Sequence, residues 1–249
     1  YIPLILFLVS SGWLALYLRW TFLLKNSGYA VPHKKNFQIF LTGFPLSITP
    51  GKIGELLKSQ LLKDNFVSRG GLKLDEALNH FKININNLVC LDIGASTGGF
   101  TDCLLRKKAK KVFCVDVGYG QLDFKLRENT KVKNLERTNA RYLTKEEIGE
   151  KIDLIVMDVS FISITKFESF FKEFAHKNSL FIGLIKPQFE LSRDKLGKNG
   201  IVRNPKYRQE AIENIINFLN GFYLNILEPI ESPIKGSKGN IEYLVCGRN

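Results

Sequence analysis

The sequence is poor in sulfur and in histidine: four cysteines, one methionine and three histidines in 249 residues. Cys90, Cys103, Cys114 and Cys246 contain no CxxC spacing. Three of them lie in or beside apolar, strand-like runs. They read as reduced, mostly buried thiols of a cytosolic protein, not as a disulfide framework or a metal site. His33, His80 and His176 form no ligand pattern, and no metal is expected. There are no internal repeats and no low-complexity tracts. Acidic residues are scarce beside basic ones, 24 against 36, for a formal charge of +12. Such an excess favours a polyanionic partner or an anionic membrane surface and says nothing about the fold. The hydrophobic share, 45%, is ordinary for a globular protein. The length suffices for one large domain, or for one domain with an appendage. The chain opens on Tyr1, not Met, so its true start is expected further upstream.

Charge is absent altogether from Tyr1 to Leu18, YIPLILFLVSSGWLALYL. That run just reaches the length at which a membrane helix becomes the default reading. Arg19, Lys25, Lys34 and Lys35 follow it, which puts the remainder on the cytoplasmic side. A signal peptide fits poorly, because there is no basic start and no clean small-residue cleavage site. The competing reading is a buried helix of a soluble domain. The expectation is membrane association through residues 1–24, with a cytoplasmic enzyme domain held at the inner face of the membrane.

From Phe66 onward the pattern changes. Apolar runs bounded by turn residues predict strands at 88–93, 111–117, 131–136, 152–158, 179–186, 222–230 and 241–246. Helical patterns fall between them at 71–81, 98–108, 164–176 and 205–219. The alternation predicts an α/β, Rossmann-like unit: a mainly parallel seven-stranded sheet with helices on both faces. The domain boundary is expected between residues 65 and 66.

The most informative stretch runs from Leu88 to Phe100, LVCLDIGASTGGF. A buried strand ends at Ile93, a glycine-rich turn follows, and a helix begins near Gly98. Gly94 and Gly98 allow close backbone approach to a ligand, and the helix start offers free N–H groups. In open α/β sheets the ligand crevice lies at the carboxyl ends of such strands. Asp116 ends the next strand, where an acid can accept both ribose hydroxyls of an adenosine. NAD enzymes share that logic. Their G-x-G-x-x-G fingerprint is missing, however: the turn reads acid-x-G-x-x-x-G, Asp92-Ile-Gly-Ala-Ser-Thr-Gly98. That form is the methyltransferase turn. The expected cofactor is S-adenosyl-L-methionine, held by Asp92, Gly94, Ala95, Ser96, Thr97, Gly98, Gly99, Phe100, Asp116 and Asp158.

Four polar residues sit where elements meet the same crevice. Lys73 follows Arg69-Gly-Gly at the first helix, and Asp158 ends a strand in IVMDVS. Lys186 ends another strand in GLIKPQFE, and Glu242 opens the last in GNIEYL. Any one alone reads as a surface salt bridge; together they read as a catalytic group. A ribose hydroxyl is a poor nucleophile unless it loses its proton as it attacks. A lysine serves as base when burial and a neighbouring cation favour its neutral form. The carboxylates hold the lysines and balance their charge.

These motifs resemble the TlyA-type ribosomal RNA 2′-O-methyltransferases, relatives of the FtsJ-type enzymes often filed as haemolysin A. The matching stretches are VSRGGLKLDEAL, LDIGASTGGFTDCLL, VDVGYGQLDFKLR, LERTNAR, MDVSFIS, LIKPQFE, NGIVRNP and SPIKGSKGNIEYL, which cover almost all of 66–249. The resemblance implies a Lys-Asp-Lys-Glu tetrad at Lys73, Asp158, Lys186 and Glu242, and an adenine-side contact at Asn139. It implies ribosomal RNA or ribosomal subunits as partner, cytidine as substrate, and an attributed membrane lysis. One departure stands out. The family carries a small RNA-binding domain before VSRGG, and here the membrane-like segment takes its place. The PGKIGELLK stretch of that segment is similar to lysylphosphatidylglycerol synthase-like, flippase-like membrane proteins. The alternatives are a membrane-anchored or membrane-active haemolysin-like protein, and a small-molecule methyltransferase on the same fold.

Overall fold

In a computed structural model of the chain, the described residues are 11–22, 32–47, 66–236 and 238–249. The chain divides into two compact units, Tyr1–Asn65 and Phe66–Asn249.

In the first unit, residues 11–22 form helix α1 and His33–Ser47 form helix α2. A polar residue ties them. Asn36 is only 2% exposed, and its Oδ1 accepts from Trp20 Nε1 at 2.9 Å. Its Nδ2 donates to Thr21 Oγ1 at 3.1 Å. Burial of an amide is tolerated when its groups are bonded in this way. The Tyr17 ring packs edge-on against Phe40, centroids 5.3 Å apart. Trp13, Leu14, Leu16, Leu18 and Phe22 of α1 are exposed. No helix among the described residues is long and apolar enough to cross a membrane. The expected span over residues 1–24 therefore has no support in the part that is described. Residues 1–10, 23 and 24 lie outside the described residues, as does the PGKIGELLK stretch.

The second unit is built on one sheet of β1 (Val89–Ile93), β2 (Lys111–Val115), β3 (Val132–Leu135), β4 (Leu154–Met157), β5 (Leu180–Ile185), β6 (Asn225–Glu231) and β7 (Tyr243–Arg248). Their order is β3-β2-β1-β4-β5-β7-β6. The first five run parallel, and β7 is inserted antiparallel between β5 and β6. The central strands are apolar on both faces because helices cover both. Along β1 the side chains alternate. Leu91 and Ile93 join Phe113, Met157, Phe171 and Leu219 on one face, while Cys90 joins Leu74, Leu78 and Leu104 on the other. All four cysteines are free and buried. Burial pushes the thiols of Cys90, Cys103, Cys114 and Cys246 up, so they stay protonated.

The helices follow the sequence pattern with local differences. α3 is Gly70–His80, α4 is Gly99–Arg106 and α9 is Pro205–Leu219. The expected helix at 164–176 is split: a 3-10 turn at Ile164–Phe167 precedes α7, Glu168–Phe174. Three one-turn helices had no legible periodicity: α5 (Phe124–Arg127), α6 (Lys145–Ile148) and α8 (Pro187–Glu190). β6 is an edge strand, and a register shift between Leu227 and Ile230 accommodates Pro229 there.

This topology sets the site. β1 lies between β2 and β4, so connections leave it in opposite directions, and a crevice opens at the carboxyl ends of the parallel strands. Asp116, Asp158 and Lys186 each directly follow such an end. β7 runs the other way, with Tyr243 opposite Ile185, so Glu242 arrives at the same rim.

Candidate active site

Two cavities meet at this rim. One, of about 570 Å³, is lined by Arg69, Lys73, Asp158, Lys186 and Glu242 together with Gly94, Ala95, Ser96, Thr97, Gly99 and Phe100. The other, of about 540 Å³, is lined by Asp116, Asn139 and a wall of Ile93, Val115, Val117, Ala140 and Ile162. Gly94, Ser96, Asp158, Ser160 and Phe161 border both.

All four residues of the expected tetrad face the first cavity, and they are joined as two ion pairs. Lys73 Nζ donates to Glu242 Oε2 at 2.6 Å; both residues are buried. Lys186 Nζ lies 2.6 Å from Asp158 Oδ1 and donates to Ser160 Oγ at 2.7 Å. Lys186 is placed by the end of β5: Pro187 occupies the first turn of α8, so the strand stops and the amine enters the cavity. Pairing each ammonium with a carboxylate offsets the desolvation of a buried charge.

The turn after β1 is shaped by close approach. Gly94 has φ +80°, and a Cβ there would lie 2.7 Å from the carbonyl oxygen of Asp158. Ser96 N donates to Asp116 Oδ2 at 2.8 Å, and Gly118 N donates to Asp116 Oδ1 at 2.7 Å. Those two bonds fix the carboxylate at the wall of the second cavity. Asn139 lines that cavity while its Oδ1 accepts from Arg141 N at 3.2 Å.

Two residues of the expected cofactor contact stand elsewhere. Asp92 lines neither cavity; it is fully buried behind the turn, where Thr101 Oγ1 donates to its Oδ2 at 2.6 Å. Burial, with a smaller push from Asp158 and Asp116, raises its carboxyl to about 7, against the bond from Thr101. Gly98 also turns away, its α-carbon facing Leu126 and Leu122. The alternation of a buried strand hides Asp92, and Leu122 and Leu126 cover Gly98.

Sequence reasoning missed several wall residues. Ser160 and Phe161 follow Asp158 in MDVSFIS, and that adjacency was their only signal. Phe161 is 89% exposed and packs near Phe189, ring centroids 5.2 Å apart. Asn240 had no assigned role. It is buried and ties two loops of the wall: Val202 N donates to its Oδ1 at 2.9 Å, and its Nδ2 donates to Gly200 O at 3.0 Å. Among the described residues no group of His, Cys, Asp and Glu could hold a metal ion.

Residues 66–249 match the model of the FtsJ-like methyltransferase family, and the chain belongs to that family. It is a methyltransferase by fold and by descent. It is 42% identical over 208 residues to "Hemolysin A" of Brachyspira hyodysenteriae, covering 83% of this chain and 87% of that protein. That match is longer than 66–249, so the likeness begins upstream of Phe66. The chain is 41% identical over 180 residues to the "16S/23S rRNA (cytidine-2'-O)-methyltransferase TlyA" of Mycobacterium tuberculosis, covering 72% of this chain and 67% of that one. A crystal structure of a candidate haemolysin from Lactococcus lactis superposes with a TM-score of 0.69 at 42% identity, covering 73% of this chain and 88% of that one.

Proposed function

We propose that this chain moves the methyl group of S-adenosyl-L-methionine to a ribose 2′-hydroxyl of cytidine in ribosomal RNA, in the cytoplasm, with residues 66–249 doing the catalytic work. The observation that carries this reading is the pair of lysine–carboxylate contacts lining the first cavity, one of which borders the second through Asp158. A hydroxyl nucleophile needs a base, and lysines set among carboxylates supply one without a metal. The formal charge of +12 suits an RNA partner. The exposed Phe161 ring at the mouth suits an unstacked base. The TlyA relative is named for this reaction.

The second cavity fits an adenosine: an apolar wall for the ring, the fixed Asp116 carboxylate for ribose hydroxyls, and Asn139 at the adenine side. Both Asp116 oxygens already accept one bond, and a carboxylate has lone pairs for more. Gly94, Ala95, Ser96, Thr97, Gly99 and Phe100 would border the methionine part. When bound, the cofactor supplies an electrophilic methyl on a sulfonium. Lys186 takes the hydroxyl proton. Asp158 holds its amine, and the Lys73–Glu242 pair fixes the charge beside it.

Transfer of tritiated methyl to ribosomal RNA, followed by digestion to nucleosides, tests the reading. 2′-O-methylcytidine is the expected product. A methylated base, or label only in small molecules, would overturn it.

A further inference from the structure

Resting on that reading, we infer that Ser160 is a positioning residue that also carries the proton between Lys186 and solvent. Lys186 is 8% exposed, and its amine meets two side chains. One is Asp158, whose Oδ1 lies at 2.6 Å. The other is Ser160, whose Oγ accepts from Nζ at 2.7 Å. An amine held as an ammonium in an ion pair must shed a proton before it can take one from a ribose hydroxyl. It must shed that second proton before the next turnover. Delivery to Asp158 would neutralise both members of the pair and leave the proton inside. Ser160 offers the other way out. A hydroxyl donates and accepts at once. Ser160 is solvent-exposed and borders both cavities, where hydroxyl and methyl must meet.

The relay balances. As an N–H bond of Lys186 breaks, an O–H bond forms on Ser160, and the original hydroxyl proton passes to water. Lys186 becomes neutral, Ser160 is unchanged, and water gains one proton. In the transfer itself the O–C bond to the methyl forms while the S–C bond breaks. The ribose proton moves to Lys186 Nζ and leaves by the same path. The hydroxyl also fixes the direction of the amine, since it supplies the second anchor beside Asp158. The charged pair alone fixes a distance. The hydrogen bond to Ser160 adds a direction.

Ser160→Ala removes the relay, and Ser160→Thr keeps a hydroxyl. Two measurements on the full chain decide the matter. The first is the hydrogen-exchange rate of the Lys186 ammonium, read by NMR with ¹⁵N-lysine and assigned with Lys186→Arg. It should slow in the Ala variant and recover in the Thr variant. The second is methyl transfer to ribosomal RNA across pH. The Ala variant should lose about tenfold in kcat near neutral pH, less than the roughly 10²–10⁴ expected for loss of the base itself. KM for RNA and for cofactor should hold, and the deficit should shrink as hydroxide takes over the proton. The Thr variant should recover most of the rate. Parental exchange and kcat in the Ala variant would overturn the proposal. A deficit equal at all pH, or shared by Thr, would overturn it too. If the parent chain methylates no RNA, the proposed reaction falls, while the exchange measurement still decides the relay.

Discussion

The two cavities share Gly94 and Asp158 but are made of different material. The adenosine-sized one has an apolar wall, with Asp116 held by two backbone N–H groups and with Asn139, Gln121 and Arg141 beside it. The other gathers Arg69, Lys73, Lys186, Lys235 and Lys238 around Asp158 and Glu242. In the first, ordering comes from shape and from a carboxylate held by backbone N–H groups. In the second, it comes from charge. The contrast teaches which kinetic constant each half should control. A shaped, largely apolar cavity sets affinity for one small molecule and responds little to salt. A basic cavity in a chain of net charge +12 sets both the chemical step and the salt-sensitive grip on a polyanion.

The largest expected effect lies on the charged side. Lys186→Ala should reduce the rate of methyl transfer to RNA by roughly 10²–10⁴ while cofactor affinity holds. Lys186→Arg should fail almost as badly, because arginine stays protonated. Near-parental activity of the Arg variant would remove Lys186 from the role of base. The apolar side should answer differently. Asp116→Ala should weaken cofactor binding by about 10- to 100-fold, the worth of one or two hydrogen bonds to a charged group. The maximal rate should be largely kept. Calorimetry with the cofactor reads this, and parental affinity would break the assignment. Raising salt should then separate the halves again: KM for RNA rises steeply, and KM for cofactor does not.

What could be read from the sequence, and what could not, has the same physical division. The strands were legible because burial on both faces leaves continuous apolar runs, as in LVCLDI and LFIGLI. The helix at Pro205–Leu219 was legible to the residue: Asn204 caps it through Lys206 N at 3.0 Å, and Pro205 suits the first turn. The tetrad was legible from its places at element ends. Its pairing was not, since Lys73 and Glu242 meet only because β7 runs antiparallel beside β5. Short helices such as Lys145–Ile148 carry too few residues for a period. Asp92 was misplaced for a related reason. The turn motif names the acid but not which face of β1 it occupies, and that face is covered by α4. Ser160 carries no pattern of its own; its meaning comes from the distance to Lys186.

That buried acid gives the smallest and most local prediction. Asp92 is raised from 3.8 to about 7, chiefly by burial, and the charges of Asp158 and Asp116 add to the push. The folded state therefore holds this proton more tightly than the unfolded chain does. Stability from the protonated acid is greatest at low pH and is lost as pH rises through the folded value, because the unfolded chain binds fewer protons there. The loss runs from the unfolded value, 3.8, to the folded one, about 7, and is complete about one pH unit above it. Asp92→Asn keeps an acceptor for Thr101 Oγ1 and cannot ionise. Its urea midpoint should be flatter across that range than the parent's, with the two proteins diverging most at the alkaline end. Identical slopes in parent and variant would mean that Asp92 is already ionised at acid pH, held so by its bond from Thr101. The cofactor turn would then rest on a charge, with Thr101→Val as its most damaging change. A flat Asn variant would mean that the turn is braced by a neutral acid, leaving Asp116 as the fixed carboxylate of the adenosine side.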